Sequence, residues 1–407
     1  MSNGIVYILP SLGISGGVAV VLQHIARLRK NGYDASVIYL EGTNDISWFP
    51  EKNIPVYTLP DIQRIDIAIA THYTTIPCLL GLQAKRKIYF VQSDERRFSL
   101  NSLEDFQACN NSYCLNIEFM TEALWIQRWL QEEFGKTAWY VPNGIDKSIF
   151  FPTLPLQPKT HKPRLLLEGS IAFPFKGMAD AYNAIKNIDC ELWIVSYYGK
   201  PKTDWIYDKF FERVPHDEMN AIYSSCDILL KLSRVEGFFG PPLEAMACGC
   251  AVVAGKVTGY DEYIRHEYNA LVIERGDIKA AESAVRRLID DRALCRKLIN
   301  NGFTTADEWS WDKTLKQLEK MIGNETPEMY YTGTFPEPYD YRNTIKSVIT
   351  AIELKHDEHP NEPDTPFITP KTMQLQAKKV CKKAVRSITK RVKKTKQLFR
   401  KLILESK

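Results

Sequence analysis

Long apolar runs are missing from this 407-residue chain. None approaches the ~18 residues needed to cross a bilayer, so no transmembrane helix is expected. Cys-x-x-Cys pairs are missing too. The nine cysteines, at positions 78, 109, 114, 190, 226, 248, 250, 295 and 381, show neither zinc nor disulfide-framework spacing, which predicts a reducing compartment. The start, MSNGIVYILPSLG, lacks a basic segment and a small-residue cleavage site, and is expected to be a first strand rather than a leader. No Asp-x-Asp stands at a convincing strand end, so no required metal and no cofactor are expected. His356 and His359 have a metal-like spacing, but they lie among acids and prolines and read as solvated linker. With 44% hydrophobic and 25% charged residues, the composition excludes a mainly disordered chain, and the length predicts two to three domains.

Acid is nearly absent from one end. Residues 371–407 hold 14 lysines and arginines against Glu405 alone, which leaves residues 1–370 with a net charge of −9. Val380, Ala384, Ile388, Val392, Phe399 and Leu402 recur in this tail at near-helical spacing, so a basic amphipathic helix is expected. It can lie on an anionic membrane, bind nucleic acid or pair with an acidic partner. Cations near an anionic leaflet gain ~1 kcal/mol each, and apolar burial adds to it. Aromatic residues other than Phe399 are lacking, which counts against base stacking. Attachment to an anionic membrane surface through residues 371–402 is the reading preferred. Residues 323–370 carry seven prolines and many acids and read as a linker with one short helix, Tyr341 to Leu354.

The remainder alternates strand and helix. Ile5 to Leu9 reads as a strand, Gly13 to Gly17 as a loop, Val18 to Lys30 as a helix and Ala35 to Leu40 as a strand, a βαβ unit of a parallel sheet. Further strands are expected at Ile65 to Ala70, Lys87 to Val91, Ser112 to Leu115 and Ala138 to Val141. A Pro-rich stretch, Pro142 to Pro163, marks a domain boundary. A second series follows: strand Arg164 to Leu167, helix Met178 to Lys186, strands Glu191 to Val195 and Asp227 to Leu232, and helix Ile278 to Ile289.

The densest signal is RVEGFFGPPLEAMACGCAVVAG, Arg234 to Gly255. Glu236 precedes Gly237-Phe238-Phe239-Gly240, where glycines let backbone amides approach a ligand. Pro241 and Pro242 preset a helix start. Glu244 is expected in the first helical turn, where the helix dipole favours an anion. Gly249 reads as the stop and Ala251 to Ala254 as a buried strand. Two carboxylates facing one cleft can grip the hydroxyls of a polar ligand.

With four other stretches in order, this block resembles the family-four glycosyltransferases. The others are SGGVAVVLQHIARLRKNGYDASVI (15–38), VPNGID with Phe150 following (141–150), the EGS to FKG segment (168–177), and SWDKT with its helix (310–322). The resemblance covers residues 4 to 322. It implies a retaining enzyme of α/β class and GT-B architecture, two doubly wound Rossmann-like domains facing a cleft. The implied division is an acceptor-side domain at 1–147, a donor-binding domain at 148–308 and a helix at 309–322 crossing back to the first domain, followed by the linker (323–370) and tail (371–407).

The implied reaction moves a hexose or deoxyhexose from a nucleotide-diphosphate sugar to a glycan or lipid-linked acceptor; the cysteine usage and the basic tail place it, as an expectation, in the cytoplasm at the inner face of the membrane. Gly16 and Gly17 either receive the donor's diphosphate or only make a tight turn. Lys176 would neutralise the leaving group. Glu244 would hold the ribose diol, because a carboxylate accepts two hydrogen bonds. Glu236 would contact the transferred sugar, with Phe238, Phe239 and Gly240 shaping its pocket, and the Asn143 loop would abut the donor cleft. On the acceptor side stand His72 or the Gln92 to Glu95 segment, which includes Asp94. The run Tyr89 to Glu95 resembles the subset that transfers rhamnose onto bacterial surface glycans. Where the family usually carries an arginine after the glycine, Ser170 stands, and Arg234 and Lys231 are the candidates to replace that cation. This departure leaves open a non-catalytic GT-B module that binds a glycan or a partner, or a sugar-nucleotide epimerase using the same cleft.

Overall fold

The computed structural model describes residues 4–58, 65–98 and 102–330. The linker beyond residue 330, with its helix at 341–354, and the basic tail lie outside the described residues.

Two parallel sheets organise the chain. The first has seven strands: β1 (Gly4–Leu9), β2 (Asp34–Tyr39), β3 (Val56–Tyr57), β4 (Ile65–Ala70), β5 (Ala84–Val91), β6 (Glu118–Thr121) and β7 (Ala138–Tyr140), in the order β3-β2-β1-β4-β5-β6-β7. Its central strands β1 and β4 are buried on both faces and apolar apart from Asp66, as a sheet covered by helices on each side demands. Helices α1 (Gly16–Lys30), α2 (Ile76–Gly81), α3 (Leu103–Tyr113) and α4 (Leu124–Phe134) make the connections. The strand expected at Ser112 to Leu115 is instead the end of α3 and the turn after it; the strand lies at Glu118–Thr121. Ser102, whose hydroxyl accepts the Asp105 amide, and the acids Glu104 and Asp105 in the first turn are the local reason.

The second sheet has six strands: β8 (Arg164–Glu168), β9 (Glu191–Ser196), β10 (Lys209–Glu212), β11 (Ile228–Lys231), β12 (Ala251–Gly255) and β13 (Leu271–Ile273), in the order β10-β9-β8-β11-β12-β13. Helices α5 (Met178–Ile185), α6 (Met219–Ser225), α7 (Gly240–Ala247), α8 (Ile278–Asp290) and α9 (Arg292–Glu308) cover it. In both sheets the order reverses beside the first strand, the arrangement of a doubly wound fold whose ligands bind outside the carboxyl ends of the strands.

The last described helix, α10 (Trp311–Ile322), packs on the first domain, where Leu318 and Met321 are buried among Ile5, Val21, Leu22 and Trp139. The chain therefore crosses between domains twice, and the two crossings touch. Ile145 bridges to Ser310, and a side chain on Gly144 would sit 2.3 Å from the Trp311 amide nitrogen. Only glycine allows that approach. Arg27 of α1 clasps both crossings, with Nη2 3.2 Å from Asp146 Oδ2 and its guanidinium 5.1 Å from the Trp311 ring. Among the described residues no helix is long and apolar enough to cross a membrane.

Candidate functional site

The half of the site expected to bind the donor is built on the carboxyl ends of β8 and β11. Lys176 closes a short 3-10 turn after β8, and Glu236 lies in the loop after β11. The lysine Nζ stands 2.9 and 2.8 Å from the two oxygens of Glu236, so the pair is bidentate. Burial opposes ionisation of Glu236, but Lys176 and Lys231 outweigh it and hold the carboxyl below its ordinary range. Lys231 is itself buried, with Nζ 2.5 Å from Glu168 Oε2. Burial works against its charge too, and Glu168, Glu236 and Glu244 together raise its pKa above the usual lysine value. Arg234 donates to Asp180 Oδ2 at 2.5 Å. Both candidate replacements for the arginine absent at Ser170 are thus engaged by carboxylates of their own domain.

Glu244 is not in the first turn of its helix. α7 starts at Gly240, with the two prolines directly after it, so Glu244 is the fifth residue. Its carboxylate lies 3.0 Å from His216 Nε2 and 3.2 Å from the Tyr223 hydroxyl. Glu244 raises the His216 pKa, against the opposing effect of burial. A carboxylate has four lone-pair sites, so two remain for a vicinal diol. No pattern in the sequence marked His216 or Tyr223; they are recognisable only because they meet Glu244 in space.

The sugar-pocket residues are partly reassigned. Phe239 is wholly buried in the core, where its carbonyl accepts the Tyr263 hydroxyl, so it lines no pocket. The Phe238 amide donates to Glu122 at 3.2 Å and the Gly240 amide to the Phe238 carbonyl at 3.0 Å, so neither donor is open to a ligand. The Phe238 ring rests on Tyr263 and Trp309.

On the first domain, α1 begins at Gly16, two residues earlier than expected. Ser15 caps it by accepting the Val18 amide, which leaves the Gly16 and Gly17 amides at the open end of the helix. Nothing lies within 4 Å of where a Gly16 Cβ would be, whereas a Gly17 Cβ would sit 2.7 Å from Gln92 Oε1. The Gln92 carbonyl in turn lies 1.9 Å from where a Gly237 Cβ would be. Gln92 therefore joins the helix start of one domain to the loop after β11 of the other.

Asp94, expected on the acceptor side, is wholly buried, and both its oxygens are taken by Arg96 at 2.9 and 2.7 Å. It positions the loop after β5 and does not face the cleft. His72 follows β4, with Nδ1 2.8 Å from the Thr74 hydroxyl and its ring tilted over Tyr73. Burial lowers its pKa to about 4, so it is neutral at neutral pH.

The domains meet through groups that the sequence did not single out. Trp125 Nε1 donates to the Gly237 carbonyl at 2.8 Å, and Arg97 donates to the Thr258 hydroxyl at 2.7 Å. The Glu262 carboxylate accepts the Leu124 amide, capping α4 from the other domain, and also the Tyr140 hydroxyl at 2.9 Å. Glu122 accepts from Asn143 at 2.9 Å as well as from Phe238. That contact turns Asn143, expected to abut the donor, toward Glu122. Burial raises the Glu122 pKa to about 8 and that of Glu262 to about 7. Gly237 and Phe238, the two residues after Glu236, are thus bonded from the first domain.

Residues 209–305 match the family described as Glycosyl transferases group 1. That span holds Glu236 and Glu244 but neither Lys176 nor the Gly16-Gly17 helix start. An uncharacterised glycosyltransferase of Methanocaldococcus jannaschii is 26% identical over 198 residues, which are 45% of this chain and 56% of that protein. The chain thus spans little more than half of that relative's length. Among solved structures, the sucrose-phosphate synthase of Thermosynechococcus elongatus matches with a TM-score of 0.67 at 16% identity, covering 79% of this chain and 98% of that one. Anabaena HepE, solved in complex with UDP-glucose, matches at 0.64 and 15% identity, covering 78% and 99%. The likeness to these structures is one of fold: two Rossmann-like α/β domains in the GT-B arrangement.

Proposed function

We propose that this chain is a retaining glycosyltransferase that moves a hexose or deoxyhexose from a nucleotide-diphosphate sugar to a glycan or lipid-linked acceptor. The observation that carries this reading is the Lys176–Glu236 pair in a cleft whose opposite wall, the open helix start at Gly16 and Gly17, reaches it through Gln92. In this reading Glu244 receives the ribose diol, and Lys176 with the Gly16 and Gly17 amides receives the diphosphate. Glu236 orients the sugar. As the bond from the sugar to the diphosphate breaks, negative charge grows on the leaving oxygens, and fixed donors at that point lower the barrier. His72, neutral, stands on the acceptor side. HepE was solved with UDP-glucose, which supports this class of donor.

The test is release of nucleoside diphosphate from a panel of nucleotide sugars. Slow hydrolysis of one of them is expected, and it should be abolished by Lys176→Ala and by Glu244→Ala. A 2-epimer as product would mean an epimerase. A second reading, a non-catalytic binding module, is favoured by one observation: Ser170 lacks a charge, and Arg234 and Lys231 are already paired. No nucleotide binding by calorimetry would establish it.

The basic segment 371–402 is proposed to hold the protein at an anionic membrane surface on the cytoplasmic side. Truncation after Pro370 should abolish sedimentation with anionic liposomes and leave donor hydrolysis unchanged; equal sedimentation of the truncated chain would refute it.

A further inference from the structure

A strip of aromatic rings runs across the mouth of the cleft, and the donor site has no use for it. Phe98, at the end of the loop after β5, lies 5.3 Å from Phe175 of the second domain. Phe175 stacks on Phe173 at 5.5 Å with the planes 12° apart. Phe173 meets Tyr198 edge-on at 5.8 Å, and Tyr198 meets Tyr197 at 4.7 Å. Phe98, Phe173 and Tyr198 are 51%, 41% and 45% exposed. Leaving several rings in water forgoes the gain from burying them, and a contiguous exposed patch of this kind marks a binding surface.

The strip is built rather than accidental. The Ala172 amide donates to the Tyr198 carbonyl at 3.0 Å, and the Ile171 amide to the Ser196 hydroxyl at 3.1 Å. That hydroxyl donates to the Tyr198 carbonyl at 2.8 Å. A side chain at Gly199 would sit 2.6 Å from the Ala172 nitrogen, so the loops after β8 and β9 are pressed together. The rings are presented by a rigid support.

We infer that this strip is a stacking surface for the sugar rings of a saccharide, the part of the acceptor that lies outside the reaction centre. The naming of that saccharide as acceptor rests on the transferase reading; the stacking surface does not. Three features select a saccharide. The inner end abuts the Lys176–Glu236 pair, with the Phe175 ring 5.7 Å from Lys176 Nζ, so whatever lies on the strip is continuous with what reacts there. The rim is polar: Arg213 lies over Tyr197 at 6.0 Å, and Lys200 pairs with Glu212 at 3.8 Å, both exposed. A sugar ring has a C–H face and a hydroxyl edge and fits rings bordered by hydrogen-bonding groups, whereas an alkyl chain asks for an aliphatic trough. The strip also crosses from one domain to the other at Phe98–Phe175, so a saccharide lying on it favours the closed cleft.

The experiment uses the full chain in native gels cast with neutral polysaccharides (hydroxyethyl cellulose, galactomannan, mannan and dextran), and in sedimentation with phosphatidylcholine vesicles. Retardation by at least one polysaccharide is expected, weakened tenfold or more by Phe173→Ala and by Phe98→Ala, with UDP affinity by calorimetry unchanged. Three results would overturn the inference: no retardation in any gel, retardation indifferent to both substitutions, or vesicle binding that depends on Phe173. Donor hydrolysis is scored separately. Retardation without hydrolysis removes the transferase reading and leaves the stacking surface; hydrolysis without retardation does the reverse.

Discussion

The two walls of the cleft are made of different material. The second domain supplies charged side chains already matched to one another, Lys176 with Glu236, Lys231 with Glu168, and Glu244 with His216. The first domain supplies a helix end, the side chain and carbonyl of Gln92, a neutral histidine and a buried carboxyl, Glu122. The second wall is preorganised within its own fold, and its electrostatics need no partner. The first wall acquires much of its environment only when the other domain lies against it, because the neighbours of Glu122 and Trp125 include Phe238 and Gly237. The charged groups of the cleft are therefore set within one domain, and the way the two walls face each other is set by the contact between them.

The sharpest way to break that contrast is Gly237→Ala. Its Cβ would sit 1.9 Å from the Gln92 carbonyl oxygen, so the domains must part while each core stays intact. Donor turnover should fall at least a hundredfold with the melting temperature nearly unchanged, and small-angle scattering should show an opened molecule. Turnover within threefold of the parent would mean that the closed contact is not the working one. Next comes Lys176→Ala, which removes the nearer of the two cations that hold Glu236 ionised. A loss on the order of 10²–10³ in turnover is expected. A double-mutant cycle with Glu236→Gln should show strong coupling, because the two side chains bond each other directly and loss of the lysine leaves the buried Glu236 carboxylate without its hydrogen-bonded cation.

The pH dependence of closure comes third. Glu122, at about 8, and Glu262, at about 7, are raised by burial, which parting of the domains would relieve. The groups facing Glu122 are Asn143, the Phe238 amide and the carboxylates of Glu236 and Glu262. The closed state then holds protons that the open state has released. Closure is fully favoured below the ordinary carboxylate range and weakens as pH rises toward 8. Scattering or a fluorescence distance pair should show the closed fraction falling between pH 5.5 and 8, with Glu122→Gln flattening the profile. An unchanged or rising closed fraction would contradict this sign. The smallest expected effect is that of Trp125→Phe, which deletes one cross-domain hydrogen bond worth about 1 kcal/mol. A severalfold rise in KM is expected with little change in kcat; an equal fall in kcat would give the indole a part in the reaction itself.

The same contrast explains what could be read from sequence. The donor block was readable because its cues are local: the Pro-Pro start, the left-handed Gly249 and the apolar strand all fall within twenty residues. Even there the helix register slipped, and with it the position of Glu244. Glu122, Trp125, Glu262, His216 and Tyr223 carry no local signal, since each acquires its meaning from a residue tens of positions away. Asp94 and Phe239 are buried where the sequence predicts cleft residues, because proximity to a strand end or a glycine turn says nothing about burial. The local cues for α3, the Ser102 cap and the acids of its first turn, stand up to ten residues before 112–115, where the helix ends.

The touching crossings at Gly144 and Ser310 have a consequence for how the molecule comes into being. Leu318 and Met321 complete the packing of the first domain, yet they are synthesised after the whole of the second. On the ribosome, the first domain waits with an open seam on its surface while some 160 further residues emerge and fold, the distance from Pro142 to Leu318 less the two crossings. A split between the domains near residue 148 should therefore yield an unstable N-terminal fragment, recoverable by adding the helix Trp311–Ile322 in trans.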